Sequence, residues 1–496
     1  MKTRNKLIVL SLLLIGIVFT SCEEEFLERV PTDAVSASSA TATTGNLNLL
    51  LNGINRSLYI RYGAQGRTGI QSIMIQNEVL GDDYVMNARA NGWFIGTGQW
   101  LSHTSALSAN DDFPYRVYYR IIRNANTIIG GAADAVGPQE ERDIALGRAL
   151  VYRAWSHFQL VQLFGGRYVP GGNNTQLGVV IRTDTDAEAL PRNTVEEVYT
   201  QVHADLAQAI PLLAGAGRGG DSNIGQGVAE GLQARVYLVQ GNYPMAAQSA
   251  VAARNGFTLM NEADYFNNFT NLESSEWMWG SSIQEDQTDL FGNYGAWVSR
   301  NFSSSNIRGN PKSINRLLYD QISPTDVRAR LFSPDGTHPD LPPGVEISSR
   351  HQRFPYTNQK FIAEGTGDSR MDQPYMRVSE MYLIEAEARA RMGDDPGAAN
   401  ALLPMAQARD AAYTLSTNTG QDLIDEILIQ RRVELWGEGF RFYDLKRMDL
   451  PLDRDFANSN FNPTQSIIET VPAGDPRWQW LIPQRATDNN PLLVQN

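Results

Sequence analysis

Tryptophans and short polar side chains crowd into two stretches of this sequence. The first holds Asp82, Asp83, Tyr84, Asn87, Arg89, Asn91, Trp93 and Trp100; the second holds Trp277, Trp279, Gln284, Asp286, Tyr294, Trp297 and Arg300. A sugar ring offers a weakly polar C–H face and a rim of hydroxyls, so a site for it pairs an aromatic plane with carboxylates, amides and guanidiniums. We take Trp93, Trp100, Tyr294 and Trp297 as the platforms, with Asp82, Asp83, Arg89 and Asn91 as their polar company. Trp93 and Trp297 sit among Gly and Asn, where exposure is expected. Trp277 and Trp279 flank Met278 in the alternation of a half-buried strand and are assigned to packing. Trp155 and Trp436 fall on periodic helices and are assigned to the core.

Other chemistries find less support. The acidic pairs Asp82-Asp83, Asp111-Asp112 and Glu285-Asp286 could suggest a hydrolase, but glycoside hydrolysis needs two carboxyls roughly 5 to 9.5 Å apart across a cleft. Sequence adjacency does not supply that, so no catalytic residue is assigned. The five histidines show no metal-ligand spacing. Asp184-Thr-Asp186-Ala-Glu188 begins like a calcium loop, yet Ala189 and Val195 stand where such a loop needs Gly and Glu. No cofactor is expected, which leaves room only for an adventitious or structural Ca²⁺.

The N-terminus carries an address. Lys2, Arg4 and Lys6 precede an apolar run from Leu7 to Phe19, then Thr20-Ser21-Cys22 and three glutamates. Such a run is too short for the roughly 20 residues that span a bilayer, and its flanks are those of a signal peptide over 1–21. Cys22 is the sole cysteine of 496 residues, and its place after small residues marks it for lipidation. Acyl chains anchor at about 0.8 kcal/mol per buried CH₂, so no spanning helix is needed. Residues 22–45, acidic and then rich in Ser, Thr and Ala, read as a flexible tether.

Helical periodicity follows the tether. Leu47, Leu50, Leu51, Ile54 and Leu58 recur at three and four residues, as do Val117, Ile121, Ile122, Ala125 and Ile128. A helix is expected over about 139–164, and another from Thr194, where Thr-Val-Glu-Glu offers a capping box. Ala234, Tyr237, Gly241, Tyr243, Ala246, Ala250 and Ala253 have tetratricopeptide spacing, and Ala386, Gly393, Ala398, Leu402 and Met405 repeat it. The expected class is mainly α, with about four helix pairs in one domain over 46–496. Repeat-type helices are placed within about 46–62, 112–255 and 371–450, loop-rich stretches at about 63–111 and 271–370, and a C-terminal loop region at 451–496.

The net charge is −13, and loss of residues 1–21 removes three cations and no acid, leaving −16. Such a surface argues against a nucleic-acid partner.

One run is more specific than any periodicity: Arg431-Arg432-Val-Glu434-Leu-Trp436-Gly437-Glu438-Gly439-Phe-Arg441-Phe-Tyr443-Asp444-Leu-Lys-Arg447. With Gln373 to Glu387, Leu163 to Pro170, Pro191 to Tyr199 and the end from Ile482, it resembles the SusD/RagB family of outer-membrane nutrient-binding lipoproteins of Bacteroidetes. The resemblance covers nearly the whole mature chain. It implies a SusD-like fold, with repeats as scaffold and loops as ligand face. It also implies surface location through the lipid anchor, and delivery of an oligosaccharide to a TonB-dependent transporter, a SusC-like barrel. The alternative within the family is a RagB-like peptide binder or protein-interaction scaffold; a surface hydrolase ranks below both. Arg432, Glu434, Glu438, Arg441, Asp444 and Arg447 are expected to form a structural ion-pair network binding helices together, not an active site.

Overall fold

The computed structural model describes residues 37–217, 222–287 and 290–496. The signal peptide over 1–21 and the lipidation site Cys22 lie outside the described residues. The tether expected over 22–45 is corrected at its end. Residues Ala37–Ala40 already form a helical turn, and helix α1, Thr44–Ser57, starts inside the expected tether. Thr43 caps it by accepting from the Asn46 amide, and Leu47, Leu51 and Ile54 bury its inner face.

Most of the molecule is stacked helices. After α2, Gly69–Val79, come α3, Ala109–Gly131, and α4, Gln139–Phe164. These are followed by α5, Val195–Leu212, then α6, Gln226–Gln240, and α7, Tyr243–Ala253. Each of α3 to α7 packs on the next. Helix α8, Val378–Arg391, continues the stack directly against α7 although residues 254–377 intervene. It pairs with α9, Asp395–Arg409, and with α10, Gly420–Glu434, before α11, Arg441–Met448, closes back on α2. The class is mainly α, as expected.

The local signals explain the turns. At α5 the capping box is complete: the Glu197 amide donates to Thr194 Oγ1 and the Thr194 amide to Glu197 Oε2. Between α6 and α7, Gly241 takes φ 70° while a Cβ there would sit 2.9 Å from Pro170, so neither the turn nor the close approach tolerates a side chain. Helix α2 was not expected, because the 63–111 stretch shows no sustained period. Every residue of α2 is buried, and a helix covered on all sides has no polar face to create one.

Short strands join the two loop-rich stretches. Strand β1, Tyr84–Met86, pairs antiparallel with β3, Lys312–Ile314, in the register Tyr84 to Ile314. The sheet continues through β5, Thr357–Asn358, to β4, Phe332–Ser333. Separately, β2, Trp277–Ser281, pairs with β6, Gln373–Arg377, and β7, Leu452–Asp453, with β8, Thr470–Val471. All five residues of β2 are buried, so Trp277 and Trp279 belong to a fully buried strand. Among the described residues no helix is long and apolar enough to cross a membrane.

Candidate functional site

The β1–β3 pairing brings the two aromatic stretches to one face. There Trp93, half-buried, stacks on Trp297 with centroids 6.3 Å apart and planes 21° from parallel. Trp297 itself is 2 % exposed. Phe94 meets its edge at 4.8 Å, and Lys312 Nζ lies 4.1 Å from its centroid. Trp93 is therefore an aromatic plane backed by a second tryptophan. Arg89 and Asn91 flank it on the same loop and are exposed. The Asn91 side-chain oxygen accepts from the Trp93 amide at 3.4 Å, which ties the loop to the platform.

The loop carrying Trp93 is strained. Ala90, Gly92 and Phe94 all have positive φ, at 42°, 83° and 59°, and two of these are residues with a Cβ. Backbone held in the left-handed region costs about 1–3 kcal/mol per residue and persists only where surrounding contacts impose it. Here the contacts are Phe94 on Trp297 and the Ala88 amide donating to Asn310 Oδ1 at 3.1 Å. Lys312 is buried with its Nζ donating to the Asn310 carbonyl at 2.5 Å. Burial without a carboxylate partner pushes its pKa down to about 7. Arg300 is likewise buried. It donates to His338 Nε2 at 3.0 Å, while its Nη1 lies 2.9 Å from His351 Nδ1.

Five of the expected ligand residues are corrected by their burial. Trp100 is 1 % exposed and donates from Nε1 to the Leu80 carbonyl. Tyr294 is 1 % exposed with its hydroxyl on the Gly437 carbonyl. Trp297 supports the platform from beneath. Asp82 and Asp83 are also buried: Arg441 Nε contacts Asp82 at 2.5 Å and Arg432 Nη2 contacts Asp83 at 2.5 Å. Burial alone would raise the Asp82 pKa, but Arg441 and Arg432 outweigh it and hold it below the ordinary value. These acids fasten the loop face to α10 and α11. Trp93, Arg89 and Asn91 remain at the surface.

The arginine and glutamate run has a different geometry from the loop face. Arg377, at the end of β6, contacts Glu276 at 2.5 Å, Glu438 at 2.7 Å and Glu434 at 2.8 Å. Arg409 reaches Glu276 and Glu434, Arg328 reaches Glu434 and Asp326, and Lys360 reaches Glu438. Four cations face four carboxylates, all buried except for small fractions. Burial would raise the Glu434 pKa, but Arg409 and Arg377 outweigh it and hold it well below the carboxylate range. A second cluster runs from Arg431 through Asp444 and Arg447 to Glu387, joining α10, α11 and α8. Sequence reasoning missed Glu276, Asp326, Arg328, Lys360, Arg377, Glu387 and Arg409 as partners in the network, because they lie outside its segment of the chain.

The remaining acidic pairs are not arranged as a catalytic dyad. Burial, with the like charge of Asp112 adding to it, pushes the Asp111 pKa up to about 9, and Asp112 contacts Arg116. Glu285 and Asp286 are exposed. In the 184–188 loop the carbonyls of Asp186 and Glu188 accept from Arg182. Among the described residues no three His, Cys, Asp or Glu side chains cluster to hold a metal ion.

A helical-repeat scaffold presenting an aromatic plane on a loop face has the form of a ligand-binding protein, and known proteins of similar sequence and fold can be set beside it. The model of the SusD family matches residues 338–496, and that of a family described as starch-binding, associating with outer membrane, matches 59–238. A SusD-like protein of Formosa agariphila is 24 % identical over the whole chain and 98 % of its own length. A SusD-like carbohydrate-binding protein from Bacteroides vulgatus superposes with a TM-score of 0.79 at 24 % identity, covering 91 % of this chain and 98 % of that one. A SusD superfamily protein from Bacteroides thetaiotaomicron gives 0.76 at 25 % identity, with 92 % and 99 % covered. The chain is thus similar to SusD/RagB-family proteins over nearly its whole length, and one of the two family models it matches carries the description starch-binding, associating with outer membrane.

Proposed function

We propose that this chain is a surface-exposed lipoprotein, anchored through Cys22, that captures an oligosaccharide on the Trp93 face and passes it to a TonB-dependent barrel. The observation that carries the ligand reading is the half-buried Trp93 stacked on Trp297, with Arg89 and Asn91 exposed on the same loop. An aromatic plane that is rigidly backed loses little entropy on binding, and flanking guanidinium and amide groups match ring hydroxyls. The protein acts by binding and breaks no bond. Of the three adjacent acidic pairs in the sequence, Asp82 and Asp83 are engaged by arginines. The transporter partnership rests on the family alone.

Titration calorimetry of the soluble domain against a panel of neutral oligosaccharides tests the ligand class, with Trp93→Ala as the site variant. Binding by the native domain that the variant loses supports the reading. A panel with no binder, together with binding of peptides, replaces it with the peptide alternative.

A further inference from the structure

Helix α3 turns a strongly basic face outward. Arg116, Arg120 and Arg123, spaced four and three residues apart, are all exposed. With Arg182, from the loop before α5, and Arg485, from the short helix Gln484–Asn489, they line an open groove of about 450 Å³. Ligand clefts run from about 300 to 1,000 Å³, so this one is large enough for a short oligosaccharide. Asp112 is the sole carboxylate lining it, and it takes Arg116 at 3.3 Å. Among the described residues neither Arg123 nor Arg485 has an ion-pair partner. Five guanidiniums facing one carboxylate, on a chain of net charge −13, create a local potential opposite to that of the molecule as a whole.

The groove is not merely charged. Tyr115 and Tyr119, both half-buried, line it between the arginines with ring centroids 4.7 Å apart. The Tyr119 hydroxyl is committed to the Val180 carbonyl at 2.9 Å, which fixes that ring. Arg120 extends the basic track over Tyr62, at 4.7 Å from its centroid, into an adjoining hollow lined by Arg67. None of these residues belongs to the Trp93 face. An inorganic anion would use the arginines and leave the tyrosines idle, whereas a sugar bearing anionic groups would use both.

We infer that this groove is a second binding site, for an acidic oligosaccharide that carries sulfate or carboxylate groups. The tyrosines meet the C–H faces of its rings, and the guanidiniums form charge-assisted, forked hydrogen bonds to its anionic substituents.

The test is calorimetry of the native domain with a sulfated hexasaccharide, its desulfated counterpart, inorganic sulfate and a poly-glutamate peptide. The sulfated sugar should bind, weaken as NaCl is raised, and outrank the other three probes. Combining Arg120→Ser with Arg123→Ser should weaken it by about tenfold per guanidinium lost. Both side chains are exposed, so Tm and neutral-sugar binding should stay unchanged. Undiminished affinity in that variant, equal affinity for the desulfated sugar, or tighter binding of the peptide would overturn the proposal. The Trp93 face is judged by neutral sugars and Trp93→Ala, so either site can fail while the other stands.

Discussion

Two of the regions that bury cations surround them in opposite ways. At the helix junction Arg377, Arg409, Arg328 and Lys360 meet Glu276, Glu434, Glu438 and Asp326. On the loop face Lys312 and Arg300 meet no carboxylate; they meet the Trp297 ring, the Asn310 carbonyl and two imidazoles. The first arrangement is a closed network in which each charge depends on the others. The second consists of single cations held by dipoles and a π face, so each can be changed with little effect beyond its own contacts. A structural ion network and a binding face can therefore be told apart by where the counter-charges are, even when both contain the same residue types.

The sharpest way to break the comparison is Glu434→Ala, which leaves Arg377, Arg409 and Arg328 without one carboxylate. Removing one partner of a buried pair costs about 3–5 kcal/mol, so chemical denaturation should show a large loss of stability or failure to fold. Normal stability with lost sugar binding would move this cluster to the functional side. Trp297→Ala should cost a similar amount, about 3–5 kcal/mol, because the ring is enclosed by Trp93, Phe94 and Lys312. Trp93→Ala, one ring further out, loses the stacking on Trp297 and should cost only about 0.5–1.5 kcal/mol of stability, while weakening sugar binding by about 1–3 kcal/mol. A stability loss as large as that of Trp297→Ala would reclassify Trp93 as core.

Acid should weaken the fold in two stages. His103, His157 and His338 are buried neutral, with pKa pushed down to about 3, and His351 down to about 4, burial being the main cause in each. Their folded pKa lies below the unfolded value near 6.5, so their contribution is complete above pH 6.5 and is lost as pH falls through the folded values. Glu434, Glu438 and Asp444 are also depressed, by arginines and, for Glu438, also by Lys360, which outweigh burial. Their contribution is present above about pH 4.5 and is lost below it. A Tm-versus-pH curve should therefore decline from about 6.5 and steepen below about 4.5. Asp111 and Glu78, pushed up by burial to about 9 and about 7, work in the opposite sense, but the four histidines outnumber them, so a flat curve to pH 4 would contradict the buried neutral histidines. The smallest effect is expected for Lys312→Met. It removes a buried cation with no ion-pair partner, so stability should change by no more than about 1 kcal/mol, in either direction.

How much of this could be read in advance differs by region. Helices with one apolar face, such as α1 and α3, announced themselves, as did the capping box at Thr194 and the turn at Gly241. Helix α2 did not, because total burial erases the period on which such readings depend. The arginine and glutamate run was legible as a network, but most of its partners were not. Of the eight residues taken as ligand contacts, Trp93, Arg89 and Asn91 stand at the surface, while the other five are enclosed. Exposure is set by what covers a side chain, and nothing in the 93–100 or 294–297 segments says that Trp297 lies beneath Trp93.

The sequence by itself determined the helical repeats, the turns between them and the resemblance carried by Arg431 to Arg447, since each depends on spacing within a short segment. Tertiary structure alone decided which tryptophan is a platform, which acids are counter-ions, and that Arg182 and Arg485 join the arginines of α3 in one groove. Those outcomes require segments hundreds of residues apart to meet. Local propensity carries no record of such meetings, which arise only when the whole chain buries its apolar faces together.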